Sequence, residues 1–130
     1  MANLDIMERL DLPRKCAEVG AYFQRRLREV AADHPLVGEV RGDALLGAVE
    51  LVKDRETKEA FDPDLLVGPM LSKYSMEEGL ITRSLPLCDA VSFSPPLVIT
   101  RAEVDEALEL FERALNRVAD ELVRAGTWKP

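Results

Sequence analysis

The sequence predicts an α+β domain in which helices pack on one side of a small, mostly antiparallel sheet. Two long segments show the three- and four-residue apolar spacing of amphipathic helices. Short segments rich in valine and isoleucine, which turns and prolines separate, are typical of strands. The predicted order is helix, two strands, helix, two strands, helix.

The chain has 130 residues, of which 47% are apolar, and this suits one hydrophobic core. We expect a single domain over 1–130. Within it, 1–34 form the linking and N-terminal helices, 35–125 form an α/β body and 126–130 form a tail.

The formal net charge of −7 argues against nucleic acid and anionic membranes as partners. No apolar run approaches the roughly 18 residues of a membrane span, and the first residues lack a secretion signal. We therefore expect a cytoplasmic protein. Cys16 and Cys88 then remain reduced, and with a single histidine they cannot organise a zinc site.

The first two helices meet at Leu12-Pro13, and Asp11 is expected to cap the second helix. His34-Pro35 is predicted to end this helix, with His34 in its last turn, where the helix dipole favours a cation. An apolar stripe runs along the helix through Cys16, Val19, Phe23, Leu27 and Val30.

Residues 37–52 are predicted to form two strands with a turn at Gly42-Asp43. This assignment makes the tripeptide Arg41-Gly42-Asp43 a simple strand turn. The second strand, 45–52, is mostly apolar on both faces, which predicts a cover on both sides. Glu50 is the exception, and we expect it to pair with an arginine.

A polar loop over 53–64 precedes a predicted helix over 65–78, which Gly79 ends. Short strands are predicted over 80–83 and 90–93, with a loop over 84–89 between them, and Pro95-Pro96 blocks further pairing. Thr100 and Glu103 form a capping box for the last helix. Its apolar stripe contains Val104, Leu108, Phe111, Leu115, Val118 and Leu122, and Gly126 ends it.

Sequence signatures of catalysis are missing, since the chain has no GxGxxG, GxxxxGK[ST], HExxH or GxSxG motif. Cys16 lies on an apolar stripe, and Cys88 adjoins Asp89, which disfavours its thiolate. The lysine of a Schiff base is usually buried, and none of the lysines in this chain is expected to be. All five fall on polar faces or in loops: Lys15, Lys53, Lys58, Lys73 and Lys129.

Arg83 is the candidate ligand-binding residue. It ends an apolar strand and opens onto a loop that contains Pro86 and Asp89. A guanidinium held at a strand end suits bidentate binding of a carboxylate. The residues alone favour a solvated or ion-paired Arg83, with ligand binding as the alternative.

Four segments resemble the C-terminal small domain of class III aminotransferases, the fold-type I pyridoxal-phosphate enzymes that include the ω-transaminases. They are ANLDIMERLDL, VGEVRGDALLGAVELV, GLITR and SFSPPLVITRAEVDEALELFERAL. The resemblance runs from about residue 3 to about residue 123, and its order and spacing make it specific.

This resemblance implies transfer of an amino group from an amine or amino acid to a keto acid, with pyridoxal phosphate as cofactor. In such enzymes the cofactor lysine lies in the large domain, and the segments of that large domain are not in this chain. We therefore expect a missing large domain as partner, a homo-oligomer such as a homodimer, and an isolated chain that is inactive. No catalytic, cofactor-binding or metal-binding residue is assigned here, and no anchoring lysine is identified.

By resemblance, the arginine of the GLI-x-R motif binds the substrate carboxylate, and the matching position is Arg83. Two departures from the family pattern concern Asp43-Ala44, where a second glycine is usual, and the loop SLPLCDA over 84–90. At Asp43-Ala44 we expect either that no special backbone angle is needed or that the turn has shifted. Met1 falls within an expected continuous helix, which suggests a chain cut from a longer one.

Two alternatives remain open at this point. The chain could be a stand-alone oligomerisation module, whose apolar surface drives association. It could also be a stand-alone protein that binds a small carboxylate through Arg83, since fold resemblance does not by itself establish function.

Overall fold

A computed structural model describes residues 2–86 and 88–130 and confirms the predicted α+β fold. The strands form one antiparallel sheet in the order β1-β2-β4-β3. The helices are α1 (Ala2–Arg9), α2 (Leu12–Ala31), α3 (Val67–Glu78) and α4 (Arg101–Arg124), with a 3-10 turn at Pro63–Leu65. The strands are β1 (Val37–Asp43), β2 (Leu46–Leu51), β3 (Arg83–Ser84) and β4 (Ala90–Phe93).

The hydrophobic core lies between the sheet and helices α2, α3 and α4. Within this core, Phe93 on β4 makes edge-to-face contacts with Phe23 of α2 and Phe111 of α4. The ring centroids lie 5.9 and 5.0 Å apart respectively. This geometry adds a specific aromatic contribution to the burial of apolar area. None of the described helices is both long and apolar enough to cross a membrane.

Helix α4 has both the capping box and the buried apolar stripe that the sequence predicts. The Thr100 hydroxyl accepts a hydrogen bond from the Glu103 backbone N–H at 3.3 Å, and Glu103 accepts one from the Thr100 N–H at 2.8 Å. All six predicted stripe residues, from Val104 to Leu122, are buried. A charged opposite face makes the helix amphipathic.

The buried face of helix α2 is offset slightly from the apolar stripe that the sequence predicts. Its buried residues are Leu12, Gly20, Phe23, Gln24, Leu27 and Ala31, while Cys16, Val19 and Val30 lie at the margin of the core. Asp11 occupies the N-cap position, but its side chain makes no capping bond, contrary to the prediction. Its carboxylate instead accepts a hydrogen bond from Arg14 Nε at 2.6 Å.

The turn between β1 and β2 comes later than predicted. Asp43 pairs with Leu46, so Ala44 and Leu45 form a two-residue turn in place of Gly42-Asp43. Ala44 has a φ of 46°, in the left-handed region that favours glycine. Of the two alternatives expected at Asp43-Ala44, the structure has the shifted turn, and Ala44 adopts a special backbone angle.

Strand β2 is covered on one face only, which corrects the prediction of a two-sided cover. Val49 and Leu51 are buried on the core face, whereas Leu46 is 64% exposed on the other. Glu50 lies on this open face and pairs with Arg41, as expected. The open face is therefore a partly apolar surface to which the described residues supply no covering layer.

Strand β3 begins at Arg83, three residues later than predicted. The Leu80 N–H donates to the carbonyl of Ser75 at 2.8 Å, which holds Leu80 in the terminal turn of α3 beside the left-handed Gly79. Ser84 belongs to the strand and not to the predicted loop. Within that loop, Leu87 lies outside the described residues.

The segment 126–130, predicted as a tail, lies against the domain. Trp128 is only 5% exposed, and its Nε1 donates to the Lys53 carbonyl at 2.9 Å. The loop that begins at Lys53 is itself closed by a bridge between Asp54 and Glu59. The chain end is therefore fixed to the start of the polar loop.

Candidate functional site

Arg83 lies on the open face of the sheet. It pairs with Ser92 on β4, Ser92's neighbour on β2 is Ala48, and Ala48 pairs with Arg41 on β1. Because directly paired residues in an antiparallel sheet point to the same face, these four side chains form a row across it. Arg83 is at the β3 end of this row, at an outer edge of the sheet.

The Arg83 guanidinium has no hydrogen-bond or ion-pair partner among the described residues, and its side chain is exposed. Its backbone carbonyl accepts a hydrogen bond from Ser92 Oγ at 3.4 Å, and this bond links β3 to β4. Arg41, at the opposite end of the row, is neutralised by Glu39 and Glu50. Arg83 is therefore the cation of this row that an anionic ligand can approach without displacing a carboxylate.

Two clefts flank Arg83, and both include it in their walls. The first has a volume of about 390 Å³ and lies between the approach to β3 and the β4–α4 loop. The second, of about 660 Å³, lies between the loop after β3 and the start of α3. Asp89 lines the second cleft, where its Oδ1 accepts a hydrogen bond from the Gly68 N–H at 2.8 Å.

Other charged clusters join helices to each other. Hydrogen bonds from Tyr22 and Arg26 of α2 lower the pKa of Asp105 on α4. Between α3 and α4, the guanidinium groups of Arg117 and Arg113 lower the pKa of Glu78. Each arginine in these clusters has a carboxylate partner, so the clusters serve the packing of helices.

His34 lies beyond the end of α2 and not in its last turn, since the helix ends at Ala31. Its Nδ1 accepts a hydrogen bond from the Leu36 N–H at 3.2 Å. Burial lowers the pKa of His34 below its ordinary value of 6.5. The neutral form is therefore favoured, which is the opposite of the expected cation.

The two cysteines are free thiols. Cys16 is half-buried, with its Sγ 3.6 Å from the carbonyl oxygen of Leu97, and Cys88 is exposed. Among residues 2–86 and 88–130, no group of three or more histidine, cysteine or acidic side chains could hold a metal ion.

Pyridoxal phosphate needs a lysine in an enclosed site, and the lysines of this chain do not fit that requirement. All five are exposed. Lys53 pairs with Glu59 at 2.5 Å, and this hydrogen bond raises the lysine's pKa, whereas an aldimine-forming lysine needs a lowered one. Lys58 Nζ donates to the Gly38 carbonyl at 2.6 Å. The cofactor therefore has no anchoring site among the described residues.

Comparison with known proteins identifies the family of this chain. Residues 1–115 match the family model described as aminotransferase class-III. An uncharacterized aminotransferase of Sinorhizobium fredii is 53% identical over 125 residues, which is 96% of this chain and 27% of that protein. The diaminobutyrate–2-oxoglutarate transaminase of Halomonas elongata is 48% identical over 126 residues, covering 97% of this chain and 27% of the relative.

A solved transaminase structure, described as a product of directed evolution by ancestral reconstruction, superposes with a TM-score of 0.92 at 54% identity. The match covers 93% of this chain and 26% of that one. The chain thus spans about a quarter of the length of the proteins it matches.

Proposed function

The chain belongs to the class III aminotransferases, and we propose that it acts as the C-terminal small domain of such an enzyme, with Arg83 as the binding residue for the substrate carboxylate. The whole enzyme transfers an amino group from an amine or amino acid to a keto acid. The observation that carries the proposal is the exposed guanidinium of Arg83 on the open sheet face, without a carboxylate partner among the described residues.

Arg83 suits this role because of where the fold holds it. Pairing with Ser92 fixes its backbone at the sheet edge, while the long side chain remains exposed. A guanidinium presents its donors in a planar fork that matches both oxygens of a carboxylate. The other arginine of the row, Arg41, is already occupied by two glutamates.

The cofactor belongs to another part of the enzyme in this proposal. Class III aminotransferases depend on pyridoxal phosphate, and the exposed lysines of this chain give it no anchor. We assign the cofactor lysine to the large domain, which lies in the part of the relatives that this chain does not span. The isolated chain is then inactive, and on the family resemblance the enzyme works as a cytoplasmic homodimer.

A chimera with the Halomonas elongata transaminase tests the role of Arg83. This chain replaces the aligned quarter of that enzyme, and the 48% identity over 126 residues makes the exchange practical. We expect the chimera to be active and Arg83→Gln to raise the KM for the keto acid about 10- to 100-fold, which is the range for loss of a charge-assisted hydrogen bond. Arg83→Lys should recover part of the loss.

Arg9→Gln is the matched control, because Arg9 is an exposed arginine on α1 away from both clefts. An unchanged keto-acid KM in Arg83→Gln would show that Arg83 does not bind the carboxylate. Equal losses in both variants would also contradict the proposal.

The isolated chain gives a second test. With pyridoxal phosphate, an amine and pyruvate, we expect no turnover, and after borohydride reduction we expect no stoichiometric adduct by intact mass. One site-specific adduct would mean that a lysine of this chain anchors the cofactor and that the assignment to a large domain is wrong.

The alternative function is an assembly module, and the exposed apolar side chains favour it. Leu46, Val98 and Ile81 are 64, 60 and 88% exposed. Uncovered apolar side chains of this kind mark contact surfaces when they form a contiguous patch. Sedimentation equilibrium tests the alternative, which a clean monomer at high concentration would exclude.

A further inference from the structure

Strand β3 consists of two residues, and it holds Arg83 at the outer edge of the sheet. Its ladder pairs only Arg83 with Ser92 and Ser84 with Val91. So short an edge strand opens easily, because few hydrogen bonds fix it and one side of it has no neighbouring strand. The position of Arg83 therefore depends on contacts beyond this ladder.

The loop that follows β3 ends at Asp89, which is bonded to two other elements. Its Oδ1 accepts a hydrogen bond from the Gly68 N–H of α3 at 2.8 Å, and its carbonyl accepts one from the Leu51 N–H of β2 at 2.7 Å. A carboxylate on a backbone N–H makes a charge-assisted bond, and the first turn of a helix further favours a negative charge. Asp89 therefore fastens this loop to a helix and to an inner strand.

The first turn of α3 is suited to receive this carboxylate. The N-cap position is Leu66, whose side chain makes no capping bond, so an acceptor 21 residues beyond Gly68 supplies one. The packing at Gly68 is close, since a Cβ placed there would lie 3.2 Å from both Asp89 Cα and Ser84 Oγ. The start of α3 therefore lies against both ends of the loop between β3 and β4.

We propose that Asp89 is a positioning residue for Arg83. By fastening the loop to α3 and β2, Asp89 fixes β3 and so sets the direction from which the guanidinium reaches a substrate carboxylate. The guanidinium has no ion-pair partner in the described part of the chain, so Asp89 acts on it through the backbone. The inference rests on the proposed function of Arg83 and adds which residue holds that arginine in place.

NMR relaxation of the chain measures whether Asp89 fixes β3. In the parent chain we expect backbone order parameters of about 0.85 at Arg83 and Ser84, as in rigid backbone, and values below about 0.6 in Asp89→Ala. Asp89→Asn keeps an oxygen that accepts from the Gly68 N–H, so it should retain most of this order. A loss of global stability alone leaves the order parameters of the folded chain unchanged, so this measurement separates positioning from a general defect.

Asp62→Ala is the matched control for Asp89→Ala. Asp62 Oδ1 also accepts a backbone hydrogen bond, from the Asp64 N–H at 3.0 Å in the 3-10 turn before α3. Within residues 2–86 and 88–130, no hydrogen bond joins Asp62 to the loop between β3 and β4, so the order at Arg83 should be unchanged. Full order at Arg83 in Asp89→Ala, or an equal loss in Asp62→Ala, would overturn the proposal.

Gly68→Ala tests the same contact from the helix side and serves if Asp89→Ala does not fold. The added methyl group presses on Asp89 and Ser84, so the order at Arg83 should fall although the carboxylate is retained. Full order at Arg83 in this variant would also count against the proposal.

The chimera with the Halomonas elongata transaminase measures the effect on substrate binding. Asp89→Ala should raise the KM for the keto acid about 3- to 10-fold and change kcat by less than about twofold, because a misplaced guanidinium loses uniform binding of the carboxylate. Asp89→Asn should recover most of the loss, and Asp62→Ala should show none. A fall in kcat at an unchanged KM would contradict a positioning role.

The outcomes also distinguish this inference from the proposed function. If Arg83→Gln raises the keto-acid KM and Asp89→Ala does not, the role of Arg83 stands and the inference fails. If Arg83→Gln leaves the KM unchanged, the proposed function fails, and the role of Asp89 in substrate binding fails with it. Loss of order at Arg83 together with a raised KM in Asp89→Ala supports the inference.

Discussion

Gly20 of α2 lies directly against the backbone of Ala44 in the β1–β2 turn. A Cβ placed on Gly20 would come within 2.6 Å of both the Cα and the carbonyl carbon of Ala44. Helix and hairpin therefore meet through main-chain atoms, without a side chain between them. This close approach brings Gln24, one helical turn further on, within hydrogen-bond distance of the same turn.

Gly20→Ala should destabilise the domain by about 1–3 kcal/mol, because the new methyl group forces the helix away from the turn. The gain in helix propensity of about 1 kcal/mol is included in this net value. Urea unfolding followed by circular dichroism measures the effect. A midpoint equal to or above that of the parent chain would show that the helix and turn separate without cost.

Ala44→Gly should stabilise the domain by about 0.5–1 kcal/mol, because glycine adopts a φ of 46° without the steric penalty that alanine meets. Ala48→Gly in β2 is the matched control, and there the extra freedom of glycine should only destabilise. Thermal unfolding of the two variants gives the comparison. A loss of similar size at both positions would contradict the strained conformation of Ala44.

Gln24→Met should destabilise the domain by about 1–3 kcal/mol at nearly constant side-chain volume. Gln24 Nε2 donates to the carbonyls of Ala44 and Leu46 at 3.0 and 2.8 Å, and methionine leaves both oxygens without that donor. Chemical unfolding measures the loss. An unchanged stability would mean that water replaces the amide at no cost.

The stability of the domain should fall between pH 7.5 and pH 5, and His34 should account for part of this fall. Because burial lowers the pKa of His34, the unfolded chain takes up a proton below pH 6.5 before the folded chain does. Asn116 and Glu112 on α4 oppose the shift, and Arg55 reinforces it. The contribution is complete above pH 6.5 and is lost as the pH falls through the lowered pKa.

His34→Asn is the variant for this test, because its side-chain oxygen can still accept from the Leu36 N–H but does not titrate. We expect a smaller loss of stability between pH 7.5 and pH 5 than in the parent chain. Carboxylates such as Asp105 and Glu78 have lowered pKa values and stay ionised in this range. Identical pH profiles for the two proteins would exclude His34 as the source.

The predictions from sequence were most accurate for elements whose structure depends on residues close together in the chain. The capping box of Thr100 and Glu103 and the stripe from Val104 to Leu122 are both confirmed, since caps and helical spacing depend on neighbouring residues. Strand β4 was predicted with its observed bounds, because the prolines that follow Phe93 limit it.

The predictions from sequence were wrong where residues far apart in the chain determine the structure. Gln24 and Gly20 hold the turn at Ala44, and a local reading of Gly42-Asp43 does not include them. The apolar pattern of β2 predicted two covered faces, but periodicity does not reveal whether a covering layer is supplied by the same chain. Similarly, the availability of Arg83 depends on which acidic residues the fold places near it, and spacing along the chain does not show that.

The docking of Trp128 gives the protein a built-in optical reporter. The chain has a single tryptophan, and its indole is buried against the loop that begins at Lys53. Its emission should therefore shift to longer wavelength when the chain end detaches, even while the helices remain intact. A fluorescence transition at lower urea concentration than the circular dichroism transition would identify release of this end as a separate, earlier event.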